Sequence, residues 1–163
     1  MSLRDILLWP DARLSVVCEP VGEITGEVSQ LASDMFTTMY NAAGRGLAAP
    51  QIGDMRRIFV MDATWKEGLR MPRVMINPEL VSVSEERCEM EEVCLSIPGI
   101  VAPVERPSRI AMRWTDLDGM KQVSDFDGAE ARIALHELDH LNGLVHFDRL
   151  DPLTRTRLED SYA

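Results

Sequence analysis

Two of the three histidines in this 163-residue chain stand four residues apart, in the segment HELDH at positions 136–140. On an α-helix, residues four apart lie one above the other, so both imidazoles point the same way and can share one metal ion. Glu137 directly follows the first histidine and can act there as a general base toward water. The pattern predicts a helix that carries a catalytic metal site. The plainer interpretation is a helix with two surface or capping histidines.

The residues around this segment favour a helix from about Gly128 to Asn142. Asp127 fits the N-cap position, and Glu130 follows three residues later, as in a capping box. One face of the helix is apolar, with residues that recur at helical spacing: Ala131, Ala134, Leu135, Leu138 and Leu141. We therefore expect an amphipathic helix whose histidines lie beside its apolar stripe.

Helices are expected toward both ends of the chain, and strands between them. Helical spacing predicts an earlier helix from about Gly26 to Ala43, with Gly44 as its left-handed cap. Strand patterns follow at 57–61, 73–76, 80–84 and in a hairpin over 109–123. Asp151-Pro152 begins a short C-terminal helix. This order favours an α+β fold, with mixed or antiparallel strands around the central HELDH helix, over alternating βαβ units.

Length, charge and cysteine content restrict the class of protein. We expect residues 1–163 to form a single domain, because a chain of this length fits one compact unit. A net charge of -10 argues against a nonspecific nucleic-acid binder, and no apolar run is long enough to span a membrane. Cys18, Cys88 and Cys94, without an export signal, favour free thiols and a cytoplasmic protein.

A catalytic zinc-type site needs a third protein ligand, and the sequence offers two candidates. His146 completes the long HExxHxxGxxH signature of metzincin proteases. Metzincins also need a methionine turn downstream, whereas the last methionine here, Met120, lies upstream of the motif. Cys94 is the other candidate, although a lone cysteine is more often a small buried apolar residue. The residues alone leave both candidates open.

The loop GRGLAAPQ at 44–51 satisfies the dinucleotide-binding pattern G-x-G-x-x-A in its first six residues. That pattern must follow a strand and open a helix, but here it follows a predicted helix and runs into Pro50. We therefore reject a nucleotide site. Two interpretations remain, a tight connection that uses glycine for backbone freedom, and a loop that a ligand backbone approaches closely.

Three segments together resemble one known family. The sequences GRGLAAPQ at 44–51, EVCLS at 92–96 and HELDH at 136–140 are similar, in this order, to the three motifs of the peptide deformylases. Flanking segments fit as well, and the likeness covers nearly the whole chain: LLWPDARL at 7–14, INPE at 76–79, SIPG at 96–99, DHLNG at 139–143 and FDRL at 147–150. One short motif is weak support, but three in order with matching flanks indicate kinship.

The resemblance implies a ligand set and a reaction. Cys94, His136 and His140 would bind one divalent metal ion, usually Fe²⁺ in the family and replaceable by Zn²⁺, Ni²⁺ or Co²⁺. His146 would then be structural. The implied reaction is hydrolysis of the N-formyl group on the N-terminal methionine of a nascent peptide, which releases formate. Glu137 would move the proton in that reaction.

The same resemblance assigns residues to the oxyanion and to the substrate. The Gln51 side-chain amide and the Leu95 backbone N–H would stabilise negative charge on the formyl oxygen. The loop from Gly44 through Arg45 to Gly46 would pair with the peptide in an extended, strand-like way. Such main-chain pairing accepts many sequences. The partner would be the formylated nascent peptide, together with a transient association with the ribosome.

Two positions depart from the family pattern. Val93 replaces the glycine of E-G-C-L-S, and its side chain could narrow the substrate cleft or shift Cys94. Arg45 stands where the family usually has a small aliphatic residue, and it could favour acidic substrates or point to solvent. The tail, with Arg155 and Arg157 beside acidic residues, gives ribosome docking no clear basic support.

Three hypotheses follow from these observations. The first is an active peptide deformylase. The second is a deformylase-like paralogue that binds metal but acts on another N-acyl substrate or is noncatalytic, which Val93 and Arg45 motivate. The third and most remote is a metzincin-type endoprotease that uses His146 as a ligand.

Overall fold

The computed structural model describes residues 2–163 of the chain. They contain three helices, α1 (Gly26–Asn41), α2 (Gly128–Leu141) and α3 (Pro152–Tyr162). The strands within these residues are β1 (Gly46–Ala48), β2 (Ile58–Met61), β3 (Arg73–Val83), β4 (Arg87–Cys94), β5 (Ile97–Pro107), β6 (Arg109–Thr115) and β7 (Lys121–Asp127). None of these helices has the length and the apolar character that crossing a bilayer requires.

A five-stranded antiparallel sheet in the order β1-β2-β3-β6-β7 forms the centre of the molecule. Successive side chains of β2 point to opposite faces of this sheet. Phe59 and Met61 join a cluster with the apolar stripe of α2, whereas Ile58 and Val60 pack with α1. The two helices therefore cover opposite faces, which buries β2 completely and gives the α+β arrangement that the sequence predicts.

A second sheet consists of β4 and β5, which form an antiparallel hairpin. The hairpin was not predicted, because β4 carries Glu89, Glu91 and Glu92 and shows little apolar alternation. Its register shifts between Val93 and Cys94, at the end of β4. Cys94 belongs to a small apolar cluster against which residues of α3 also pack, so the hairpin holds this thiol in the interior.

The predicted strands at 73–76 and 80–84 are parts of one strand, β3. Asn77 lies between them with a left-handed φ of 50°, and the pairing with β6 changes register after Ile76. The Asn77 side chain accepts a hydrogen bond from Val21 N (2.8 Å) and donates one to Val21 O (2.9 Å). These bonds stabilise an irregularity that the Asn-Pro sequence made look like the end of a strand.

The helix ends differ in detail from the expectations. Ala43, rather than Gly44, adopts the left-handed conformation after α1, with a φ of 57°. Asp127 precedes α2 in an extended conformation, but its side chain makes no capping hydrogen bond. Asp151 does cap α3, since its carboxylate accepts a hydrogen bond from Thr154 N (2.9 Å). The loop at 44–53 is partly regular, because it contains β1 and a 3-10 turn at Ala49–Ile52.

Candidate active site

Cys94, His136 and His140 meet in the interior of the molecule. One donor atom from each residue lies within 4.8 Å of the other two, and all three side chains are buried. Cys94 Sγ is 3.4 Å from Nε2 of His140. One thiol and two imidazoles are a suitable donor set for Zn²⁺, Fe²⁺, Ni²⁺ or Co²⁺, and the spacing is small enough for one ion to contact all three. The residues present thus fit a mononuclear metal centre, and we call Cys94, His136 and His140 the ligand cluster.

Two distant parts of the chain supply these ligands. His136 and His140 are one turn apart on α2, and their ring centroids are 5.1 Å apart. Cys94 comes from the end of β4, 42 or more residues earlier in the sequence. The strand pairing shifts register between Val93 and Cys94, and Val93 is exposed whereas Cys94 is buried. The site therefore depends on how the hairpin packs against α2, which local sequence patterns do not encode.

A buried carboxylate, Glu92, orients the first imidazole. Its Oε1 lies 2.8 Å from Nδ1 of His136, and it also accepts hydrogen bonds from Arg106 (2.9 Å from Nη2) and Arg132 (2.8 Å from Nη1). Burial by itself raises the pKa of Glu92, but the hydrogen bonds from Arg106 and His136 reverse that effect and lower its pKa. Glu92 thus remains an anion and fixes which ring nitrogen of His136 faces the ligand cluster.

The role of Glu92 was missed at the sequence level. It precedes Cys94 by two residues on the same strand, so both side chains point to the same face of β4. Its guanidinium partner, Arg106, also donates to Oδ2 of Asp139 (2.9 Å), which lies between the two histidines on α2. The period of two could have revealed that Glu92 faces the site, but not that two arginines neutralise it.

Glu137 is buried beside the ligand cluster, with 5% of its surface exposed. Burial disfavours the charged carboxylate and raises the pKa of Glu137 to about 7. Its Oε1 atom has no hydrogen-bond partner within residues 2–163. The carboxylate is therefore available to exchange a proton with a molecule in the site, at a pKa close to neutral pH.

Gln51 reaches the cluster from the 3-10 turn after β1. Its Nε2 donates to Ser96 Oγ (3.0 Å) and lies 3.8 Å from Cys94 Sγ, and its Oε1 accepts from Ala48 N (3.0 Å). These contacts fix the orientation of the amide, with the N–H groups toward the ligands. Leu95 directly follows Cys94, and its side chain packs over Gly44 on the other side of the opening.

A cleft of about 350 Å³ leads to the cluster; we name it the β1–β4 cleft. Residues of β4, of β1 and of the loops next to β1 line the cleft, together with Ile133 and Glu137 of α2. The lining includes Gly44, Arg45 and Gly46, which the resemblance places beside the peptide, and Val93, which departs from the family pattern. Val93 is 69% exposed. The Arg45 guanidinium lies 3.2 Å from Glu67 Oε1 at the rim, so its charge is partly neutralised.

His146, the alternative third ligand, lies outside the ligand cluster. It is buried, with its ring centroid 6.0 Å from that of His136 and 5.0 Å from that of Phe147. Burial lowers the pKa of His146 to about 4, so it is neutral near pH 7. The structure brings Cys94, not His146, to the histidine pair, and the three-histidine arrangement of a metzincin is not formed.

Comparison with known proteins agrees with this geometry. Residues 3–156 match the family model described as polypeptide deformylase. A peptide deformylase from Rhodopseudomonas palustris strain BisB18 is 48% identical over 157 residues, which cover 95% of this chain and 90% of that protein. One from Bradyrhizobium sp. strain ORS 278 is 46% identical over 162 residues, covering 97% and 93% of the two chains.

Solved structures give the same result. A peptide deformylase from Legionella pneumophila superimposes with a TM-score of 0.92 at 38% identity, over 98% of this chain and 92% of the other. One from Ehrlichia chaffeensis, solved in complex with actinonin, has a TM-score of 0.93 at 38% identity, over 99% and 96%. These matches confirm the resemblance seen in the motifs, the α+β fold and the expected class of enzyme, a metal-dependent deformylase. The chain belongs to the polypeptide deformylase family.

Proposed function

We propose that Cys94, His136 and His140 hold one divalent metal ion with which the protein removes the N-formyl group from the N-terminal methionine of nascent peptides. The observation that carries this proposal is the meeting of one thiol and two imidazoles, with donor atoms within 4.8 Å of one another, beside the β1–β4 cleft, which Cys94 and His136 line. When bound, the metal supplies a Lewis acid that makes water more acidic and polarises a carbonyl group.

Glu137 moves the proton in the proposed reaction. As a carboxylate, it accepts a proton from the attacking water, whose oxygen bonds to the formyl carbon. It then gives the proton to the nitrogen of methionine as the C–N bond breaks. The products are a free amine and formic acid, which gives its remaining O–H proton to solvent and leaves as formate, and Glu137 is again a carboxylate. Its burial and its free Oε1 atom suit both transfers.

Gln51 and Leu95 would stabilise the negative charge that develops on the formyl oxygen. The Gln51 amide is already fixed by Ser96 and Ala48, so it need not reorganise during the reaction. Leu95 offers a backbone N–H next to Cys94. Preoriented donors of this kind typically lower a barrier by about 3–4 kcal/mol each.

The peptide would lie in the β1–β4 cleft as an added strand. β1 is at the edge of the five-stranded sheet, and within residues 2–163 its only strand partner is β2. An edge strand can pair with an extended peptide through main-chain hydrogen bonds, whatever the peptide sequence. Gly44, Arg45 and Gly46 border the peptide on one side and Val93 on the other.

We propose Fe²⁺ as the native metal and the cytoplasm as the place of action. The metal follows from the family resemblance, because a mixed thiolate and imidazole set accepts several ions. Because the proposed substrates are nascent peptides, the proposal includes a transient association of the enzyme with the ribosome. On α3, Arg155 is paired with Asp148 and Glu159 (2.9 and 2.8 Å), so the charge of this arginine is already neutralised within the protein.

A second candidate function rests on Val93 and Arg45. An exposed branched side chain and a guanidinium at the mouth of the cleft could redirect the same metal centre to another N-acyl substrate. The first hypothesis has more support, because Val93 is exposed, Arg45 is paired with Glu67, and neither residue belongs to the cluster of Cys94, His136 and His140.

Formate release tests the proposal. The protein is purified without oxygen in the presence of Fe²⁺ or Ni²⁺ and incubated with a formyl-methionyl tripeptide, with the acetylated peptide as a substrate control. Glu137→Gln should bind the metal but lose turnover, whereas Glu130→Gln, a more exposed position on the same helix, should keep it. Metal-loaded, folded protein without turnover on the formyl peptide would instead favour the second candidate.

A further inference from the structure

No hydrogen bond orients the side chain of Glu137 within residues 2–163. Its Oε1 is buried and unpartnered, and its Oε2 makes no hydrogen bond to these residues. The neighbouring His136 differs, since Glu92 fixes its ring. The position of the Glu137 carboxylate must therefore come from what packs against it.

Gly46 in β1 is one of the groups against which Glu137 packs. A Cβ atom built on Gly46 would lie 2.5 Å from Oε2 of Glu137, 3.0 Å from its Cδ, and 2.8 Å from Cγ2 of Ile133. Ordinary van der Waals contacts are longer than about 3.5 Å. The carboxylate thus occupies the space where any other residue at position 46 would place its side chain.

The backbone conformation does not require glycine at this position. Gly46 is absent from the glycines with positive φ and lies in a regular strand that pairs with Met61. An alanine could adopt the same conformation, and glycine in a strand costs conformational entropy. The close approach of Glu137 supplies a reason for glycine that the local fold does not.

We propose that Gly46 is a positioning residue for Glu137. Because Gly46 has no side chain, the Glu137 carboxylate can lie directly against the backbone of β1, and this position orients it toward the reacting molecule. The inference rests on the proposed role of Glu137 in proton transfer. Gly46 acts through packing, and it exerts this effect separately from any main-chain pairing with the peptide.

Gly46→Ala should displace the carboxylate while sparing the metal ligands. Misplacing a catalytic group by about 1 Å can cost about 100-fold in rate, so we expect kcat to fall by about that factor, with KM changed by less than about threefold. The metal content, and the absorption spectrum of Co²⁺-substituted protein, should stay as in the wild type. Gly22→Ala is the matched control, because no atom lies within 4 Å of a Cβ there.

A clash of the new methyl group with Ile133, rather than with Glu137, is the competing explanation for the effects of Gly46→Ala. Thermal unfolding separates these two explanations without a measurement of activity. The loss of Tm caused by Gly46→Ala is measured in three backgrounds: wild type, Glu137→Ala and Ile133→Ala. We expect Glu137→Ala to relieve more of this loss than Ile133→Ala does, and the Gly46→Ala/Ile133→Ala double variant to keep its low kcat relative to Ile133→Ala.

The proposal is overturned if Ile133→Ala gives equal or greater relief of the Tm loss, if it restores kcat, or if Gly46→Ala raises KM with kcat intact. A Gly46→Ala variant that does not fold in the wild-type background is still informative, because the Glu137→Ala background should rescue its folding and the Ile133→Ala background should not. Loss of the proposed function would appear differently, as a wild-type protein that releases no formate.

Discussion

Nδ1 of His136 lies 2.8 Å from Oε1 of Glu92, and this contact links the ligand cluster to a network of buried charges. The Arg106 guanidinium pairs with both Glu92 on β4 and Asp139 on α2. The hairpin and α2 are thereby joined by charge-assisted hydrogen bonds behind the ligands. Burial lowers the pKa of the His136 imidazole on its own, but hydrogen bonds to Cys94 and Glu92 raise it.

Glu92→Gln should weaken both metal binding and folding. Loss of the carboxylate that orients a metal-binding imidazole typically costs about 10–100-fold in metal affinity. The substitution also removes the negative charge that pairs with the buried guanidinium groups of Arg106 and Arg132. Breaking such a buried ion pair lowers the free energy of unfolding by about 3–5 kcal/mol. Competition with a chelator measures the affinity, and urea denaturation of the metal-free protein measures the stability.

The matched control for this change is Glu91→Gln, at the neighbouring exposed position of β4. It should alter neither quantity beyond about 0.5 kcal/mol, as is usual for a surface substitution. Equal metal affinity in Glu92→Gln and wild type would show that the His136 ring is held by other contacts.

The rate of deformylation should fall as the pH falls through the pKa of Glu137. Burial raises that pKa to about 7, and a bound cation nearby lowers it, so the midpoint is expected at or below about pH 7. A protonated carboxyl cannot accept a proton from water, so kcat/KM should drop about tenfold per pH unit on the acid side. Profiles are recorded with a peptide that has no group titrating in this range.

Circular dichroism at each pH checks that the protein stays folded during this experiment. A kcat/KM that rises toward low pH would rule out a carboxylate base at position 137. The profile of Glu130→Gln should match that of the wild type, because this residue lies outside the β1–β4 cleft.

Cys94→Ala should lose the metal, and His146→Ala should retain it. The Cys94 thiol is one of the three clustered donors, whereas the His146 ring contacts the rings of His136 and Phe147 from outside the cluster. Elemental analysis after gel filtration measures the metal bound per chain. If His146→Ala loses its metal while Cys94→Ala keeps it, the assignment of the third ligand is wrong.

Val93→Gly should raise kcat/KM for formyl-methionyl peptides by about tenfold, because a small apolar group in a substrate cleft changes the transition-state energy by about 1–3 kcal/mol. Glycine in a strand should also destabilise the protein by about 0.5–1 kcal/mol. Val101→Gly is the control, since Val101 is the exposed partner of Val93 on β5 and does not line the cleft. Without a gain in rate, Val93 does not limit deformylation.

Local sequence patterns predicted the parts of the molecule whose structure depends on neighbouring residues. The apolar stripe of α2, the spacing of His136 and His140, and the cap at Asp151 all follow from periods and from contacts within one turn. Motif resemblance, rather than periodicity, singled out Cys94, and its place beside the histidines is visible only in the fold.

The β4–β5 hairpin shows why local sequence patterns did not predict the remaining features. Its sequence carries several glutamates, and only one of them, Glu92, is buried, because Arg106 and Arg132 arrive from distant positions to neutralise it. No local pattern distinguishes Glu92 from exposed Glu91. Burial of a charge is decided by its long-range partners, which the linear sequence does not reveal.

The sequence by itself determined the helix that carries His136 and His140, the α+β class and the family, because these depend on residue identity and short-range spacing. Only the tertiary structure shows that Cys94, rather than His146, lies in one cluster with His136 and His140. It also pairs Glu92 with His136 and places the Glu137 carboxylate against the backbone of Gly46. Each of these depends on packing between segments far apart in the chain, where tenths of an ångström determine which atoms touch.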